Sequence, residues 1–483
     1  MTVRSLVALL VASATITLSV AAPAAADEAW RESRPELGPE PDLVLPTFER
    51  TVLDNGLVVM AARLDRLPLV AFQLVTRGGA ALDPAGAAGL GNMVYGMLDE
   101  GAGDLDALAF SDAVADLGAS FGAGADRDRG TVSISGLSRH ASRLASLLAD
   151  AVRRPRLAEA DFARLKAKTL AGIQARLASP QGLAFLRLPA LIYGEDHPLG
   201  HPVTGSSASV AGITVEQVRA HHGRLLDPRR SAFVAVGDIT LEEAVALARQ
   251  HLGDWTAPEA GTLDVPPVKA TPRERIVFVD KPKSPQTMAV LGRPLFGRGH
   301  PDEDALRLAN IVFGGSFSSR LNMNLREDKG YTYGAGSQVA FRDGVGVFVA
   351  YAALQRAFSA PGVAEFFVEL EQLDEEPISA EELDRVKDGF IRGLPGDFQG
   401  VSNLAGAAGE IFAYDLPLDH YARLSSRIAA TDLDAVRAAA DAYLNGEVLA
   451  VLLVGDATTV VPALEDLGLG PIEVVPAEPS ATP

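Results

Sequence analysis

Apolar residues recur along this chain in the two rhythms of strands and helices. Thr51–Met60 centres on Asn55-Gly56, a dipeptide that favours tight hairpin turns, and predicts two paired strands. Leu69–Val75 is a continuous apolar run ending at Gly78-Gly79 and predicts a strand. A helix is expected next, with Asp83 as its N-cap and Pro84 at the first position, where a missing N–H costs nothing. Leu90, Val94, Met97 and Leu98 form its buried stripe. Helices follow around Leu105–Leu117, Ala141–Val152 and Glu159–Leu177, with a strand at Thr131–Leu137. The block closes with strand Ser231–Val236, Gly237-Asp238, and a helix Leu241–Leu252 that Thr240 can cap. Residues 256–274 hold four prolines and little periodicity, and read as a linker.

Beyond the linker the pattern starts again. Strands are expected at Ile276–Val279, Thr287–Gly292, Gln338–Phe341, Gly346–Tyr351 and Val448–Val454. Helices are expected at Ala305–Phe313, Val363–Leu373 and Ala380–Gly393. Val236-Gly-Asp238 and Val454-Gly-Asp456 lie 218 residues apart. The same offset carries Leu90-Gly-Asn-Met-Val-Tyr-Gly96 onto Leu308-Ala-Asn-Ile-Val-Phe-Gly314, with four of seven positions identical. Two unrelated segments agreeing at one offset mark a duplication, so the chain is two copies of one α+β domain.

The stretch Ser316–Gly336 organises the second copy. Phe317, Leu321 and Leu325 recur every four residues and predict one core-facing helical stripe, with Ser316 or Ser318 as cap. Gly330 stops the helix, and Tyr331 and Tyr333 then alternate onto one face of a strand.

Its Leu325-Arg-Glu…Gly330-Tyr-Thr-Tyr333 run resembles the second domain of the pitrilysin/insulinase family of zinc peptidases, the inverzincins. The resemblance spans roughly residues 45–470. It implies two homologous domains, each a mostly antiparallel sheet packed with helices, forming a clam-like cleft around a peptide. It also implies that Arg326 and Tyr333 bind substrate opposite the zinc. The expected division is a signal peptide at 1–26, an extended lead-in at 27–46 and a first peptidase-like domain at 47–255. The linker at 256–274, a second domain at 275–470 and a disordered tail at 471–483 complete it.

Active members carry His-x-x-Glu-His on the first-domain helix, two histidines binding zinc and the Glu acting as general base. Here those positions are Asn92, Tyr95 and Gly96, and the third ligand position, on a later helix, is Gly172. At 100° per residue, Asn92, Tyr95 and Gly96 are expected opposite the buried stripe, facing the cleft. None of the four supplies a zinc ligand, so no metal is expected on this chain. His197-Pro-Leu-Gly-His201 offers two histidines four apart, but Pro198 and Gly200 argue for a loop; His221-His222 is adjacent rather than spaced.

Composition narrows the classes further. A net charge of −19 argues against nucleic acid and anionic lipid heads. Arg4, the apolar run Leu6–Val20 and Ala24-Ala-Ala26 read as a secretory leader, and the absence of Cys excludes disulfides and thiol chemistry. Export without disulfides fits a bacterial periplasm. No Gly-x-Ser-x-Gly elbow or phosphate loop is present. The expected function is a non-catalytic, substrate-binding partner subunit of a heterodimeric zinc metallopeptidase acting on peptides. Arg326 and Tyr333 would stand opposite a zinc held by a homologous partner chain. The alternative is a non-catalytic scaffold or peptide-binding protein of a cell-envelope assembly.

Overall fold

Two six-stranded sheets carry the strand pattern, one from each half of the chain. The computed structural model describes Gly38 and residues 44–257, 265–268 and 275–477. The expected leader, most of the lead-in, most of the linker and the last six residues lie outside the described residues. The first sheet contains β1 (Glu49–Val52), β2 (Val58–Arg63), β3 (Leu69–Arg77), β4 (Ser120–Ala125), β5 (Arg129–Leu137) and β6 (Ser231–Gly237), in the order β1-β2-β6-β3-β5-β4. The second contains β7 (Ile276–Asp280), β8 (Gln286–Phe296), β9 (Thr332–Ala340), β10 (Val345–Gln355), β11 (Ala450–Gly455) and β12 (Ile472–Pro476), in the order β9-β10-β8-β11-β7-β12.

The duplication is visible in that order. β2-β6-β3-β5-β4 superposes in sequence on β7-β11-β8-β10-β9, with β2 and β6 parallel, as are β7 and β11, and the remaining shared neighbours antiparallel. The sixth strands differ. β1 reaches the edge by the Asn55-Gly56 hairpin, whereas β12 comes from the carboxyl end and runs parallel to β7. The tail expected to be disordered from residue 471 therefore contributes a strand. Its apolar Ile472, Val474 and Val475 are too few to reveal one between Pro471 and Pro476.

Each sheet is covered on one face by helices of its own half and on the other by a helix of the opposite half. Five helices matter for this argument: α1 (Leu90–Gly96), α2 (Glu159–Leu177), α3 (Pro180–Tyr193), α4 (Glu303–Phe313) and α5 (Val401–Ala413). α3, from the first half, lies on β8 and β11; α5, from the second, lies on β3 and β6. Leu57, Val59, Phe72 and Leu74 consequently pack with their own helices, while Met60, Ala71, Val75 and Val234 join the core that contains Leu404, Ala408 and Phe412 of α5. Val279, Met288, Val290 and Leu452 pack instead with Leu183, Leu188 and Ile192 of α3. Burial on both faces is the physical reason that β6 is a continuous apolar run and that Leu69–Val75 of β3 is broken only by Gln73, rather than alternating. Glycines allow the close approach. A Cβ on Gly409 would lie 2.8 Å from Val75 Cγ2, and one on Gly292 would lie 2.7 Å from Ile192 Cδ1.

Two local expectations are corrected. Asp83 does not begin a helix. It sits in an extended turn, and its carboxylate accepts from the N–H groups of Gly89 and Gly91, both at 2.7 Å, so it caps α1 from across a loop. The helix itself starts at Leu90, after Gly89 adopts φ +95°. The organising stretch is not one α-helix either. A single turn at Arg320–Asn322 passes into a π-helical turn at Met323–Asp328, closed by Gly330 at φ +66°.

Candidate functional site

α1 occupies the place where a metal-binding helix is expected, and its side chains do something else. Tyr95 is fully buried rather than turned to the cleft, which corrects the expectation from helical phase. Its ring lies on Gly130 of β5, so close that a Cβ there would fall 1.8 Å from the phenol oxygen. The hydroxyl faces Thr76 without a hydrogen bond of good geometry, and burial holds the phenol protonated well above its ordinary range. A group that keeps its proton in this way is no general base. Leu165 of α2 covers Gly96, where a Cβ would meet its Cδ2 at 3.2 Å. Gly172 faces open space, and Asn92 is half-buried. An amide, a phenol and two glycines do not fit zinc, which takes imidazole, thiolate or carboxylate.

The second half repeats the arrangement with hydrocarbon alone. The offset of 218 takes Tyr95 to Phe313 and Gly130 to Phe348, and those rings meet with centroids 6.0 Å apart. α1 is thus packed in the manner of α4, as a core helix.

The histidines are engaged elsewhere. His197 accepts from the Leu199 N–H at Nδ1 (3.0 Å), and its Nε2 meets the Pro266 carbonyl at 2.9 Å. His201 approaches only the carbonyl of Pro202, at 3.5 Å. Buried His221 lies 3.5 Å from Asp83, and His222 meets the carbonyl of Val152 at 2.8 Å. Among the described residues no three His, Cys, Asp or Glu side chains converge as a metal site.

Arg326 and Tyr333 do come together. The guanidinium carbon of Arg326 lies 5.0 Å from the Tyr333 ring centroid and 4.6 Å from that of Phe317, so the cation is held between two aromatic faces. Glu327 pairs with its Nε at 3.0 Å. Tyr333 is 86% exposed, next to an irregularity in the pairing of the edge strand β9. Phe317 is 62% exposed, against the expectation of a core position, while Leu321 and Leu325 are buried as expected. Phe317 lies in the turn that precedes the helix, which begins only at Arg320, so it is outside the stripe that Leu321 and Leu325 share.

The π-helical turn is pinned from beneath. Asn324 Nδ2 donates to Glu369 Oε1 (2.6 Å) and Glu365 Oε2 (2.9 Å), and Lys329 pairs with Glu365 at 2.8 Å. Glu369 is buried, and desolvation pushes its carboxyl up despite the amide. Arg320 forks onto both oxygens of Glu382 at 2.8 Å. None of these supports was marked in the sequence, because the acids lie some forty to sixty residues beyond the turn they hold.

Residues 212–390 match the family described as the peptidase M16 inactive domain. The chain is 27% identical to an uncharacterized zinc protease of Mycobacterium leprae over 63% of this chain and 68% of that protein. It is 33% identical to one of Mycobacterium tuberculosis over 43% of this chain and 47% of the other, so that match spans about half the relative's length. The beta subunit of the mouse mitochondrial-processing peptidase is 25% identical over 60% and 59% of the two chains. Among solved structures, the peptidase M16 inactive domain from Pseudomonas fluorescens gives a TM-score of 0.79 at 25% identity, covering 85% of this chain and 98% of that one.

Proposed function

The chain belongs to the pitrilysin/insulinase-type family, as an inactive-type member, and on that footing we propose that it is the substrate-binding subunit of a heterodimeric zinc peptidase acting on peptides. The observation that carries this reading is the Phe317–Arg326–Tyr333 stack. It is a preorganised donor pair, Tyr333 exposed and Arg326 half-buried, on a chain whose own α1 is packed as core. Arg326 offers a planar fork to a peptide carbonyl or carboxylate. Tyr333 donates its hydroxyl to the scissile carbonyl, where negative charge develops in the transition state. The zinc belongs to the homologous partner. The leader pattern supports export to a periplasm, and no helix among the described residues is long and apolar enough to cross a membrane.

The test is reconstitution with a zinc-bearing homologue from the same organism and cleavage of a quenched peptide library. The expectation is no turnover by this chain alone, turnover by the pair, and a loss of about a hundred-fold in kcat for Tyr333→Phe. Turnover by the pair that is indifferent to Arg326→Ala and Tyr333→Phe would leave only the scaffold reading.

A further inference from the structure

Away from α1 and from the Arg326 stack, two adjoining cavities lie between α2, α3 and residues 202–208. One, of about 490 Å³, is walled by Ile173, Leu177, Leu183, Leu186 and Ala208. The other, of about 290 Å³, shares Leu186 and Pro202 with it and is lined by Arg127 and Arg176. Arg127 Nη1 donates to the carbonyls of Leu199 and His201, at 2.7 and 2.9 Å, and Arg176 Nη1 to Thr204 Oγ1 at 3.2 Å.

Those oxygens orient the two cations without neutralising them. Neither arginine has an ion-pair partner within 4.0 Å among the described residues, and no carboxylate lines either cavity. Burial, and next the adjacent Arg342, hold the Arg127 guanidinium below its ordinary value against weaker opposition from Tyr193 and Asp128. In a chain with 62 acidic and 43 basic residues, two arginines beside a cavity free of acid stand out. They call for an anion from outside the chain.

We propose that the joined cavities bind a carboxylate-headed acyl chain, such as a medium-chain fatty acid, with its head at Arg127 and Arg176 and its tail in the apolar cavity. The apolar part decides against a peptide. Every peptide unit brings an N–H and a C=O that must find partners when buried, whereas an acyl chain brings none. The polar groups on that wall are already committed. Ser206 Oγ accepts from the Ser209 N–H, Ser207 Oγ accepts from Gln174 at 3.0 Å, and Arg187 donates to the carbonyls of Pro476 and Ala477. The site is separate from the position of the missing third zinc ligand. Gly172 precedes Ile173 on α2 but looks into open space. The proposal does not depend on the subunit reading and needs no partner chain.

The experiment is calorimetric titration of the full chain with decanoate, with decanol and a short hydrophobic peptide bearing a free carboxylate as competitors. Saturable binding of decanoate is expected, with decanol at least ten-fold weaker. Arg176→Gln, at an exposed position where folding is secure, should weaken decanoate at least ten-fold and leave decanol unchanged. Ser207→Trp should fill the cavity and remove both. No saturable decanoate binding, equal affinity in Arg176→Gln, or tighter binding of the peptide than of decanoate overturns the proposal.

Discussion

Tyr95 and Gly130 are fitted to one another: the phenol ring rests on the strand at the one residue type that leaves it room. Because Tyr95 is fully buried, it cannot swing away from an added methyl group. Gly130→Ala should therefore cost about 1–3 kcal/mol, the usual range for overpacking. The cost should shrink in a Tyr95→Ala background, where the ring is gone. Denaturant midpoints for the two single variants and the double variant measure this coupling, and additive effects would show that the two residues do not constrain each other.

That pair also marks where sequence reasoning ends. The offset of 218 was enough to reveal the duplication, and periodicity the strands and most helices; the positions Asn92, Tyr95, Gly96 and Gly172 followed only from the family resemblance. The direction of Tyr95 was not legible. Helical phase places it opposite Leu90 and Val94, but the partner that draws it inwards is a glycine on a strand thirty-five residues later, and a glycine gives no hydrophobic signal. Phe317 was misplaced for a related reason. Its spacing from Leu321 and Leu325 assumes a helix already running at 317, whereas the first helical residue is Arg320. The exchange of α3 and α5 has no local signature at all, beyond the continuous apolar strands that need cover on both faces.

Phe317 should matter to the site through Arg326. An exposed cation–π contact contributes about 0.5–1 kcal/mol. Phe317→Ala should thus weaken peptide binding by the reconstituted pair by roughly two- to five-fold. Arg326→Ala should cost more, and Phe317→Ala should add little once Arg326 is absent. Fluorescence anisotropy with a labelled, uncleaved peptide reads this directly. Equal losses for Phe317→Ala with and without Arg326 would mean that Phe317 contacts the peptide on its own account.

Acid should weaken the second half through His420. Burial, then the nearby Arg427 and Arg298, bring its pKa down from 6.5 to about 4, against Glu303 and Asp304. The folded state therefore binds this proton less readily than the unfolded state. Stability from this group is complete above pH 6.5 and is lost as pH falls towards 4, with a slope approaching about 1.4 kcal/mol per pH unit. His420→Gln should flatten the profile across that window. Urea midpoints at half-unit steps of pH give the comparison, and an unchanged slope in the variant would assign the acid limb to other groups.

The exchanged helices should make the two halves unfold together. α5 supplies Leu404, Ala408 and Phe412 to the face of the first sheet that Met60, Ala71 and Val75 present, and α3 supplies Leu183, Leu188 and Ile192 to the second. Arg77 reinforces the first contact, donating to the Phe412 carbonyl at 2.6 Å and lying 4.8 Å from its ring. Neither sheet can keep both faces dry if the other half melts, so an intermediate with one folded half would expose a whole apolar face. Trp255, buried in the first half's own core, reports that half by fluorescence, and hydrogen exchange at β8 and β10 reports the second. The two midpoints should coincide. Gly409→Leu, which drives α5 against Val75 and Gln73, should lower both by the same amount, although the substituted residue belongs only to the second half. Separate midpoints, or a shift confined to one probe, would show that the halves are independent and merely docked.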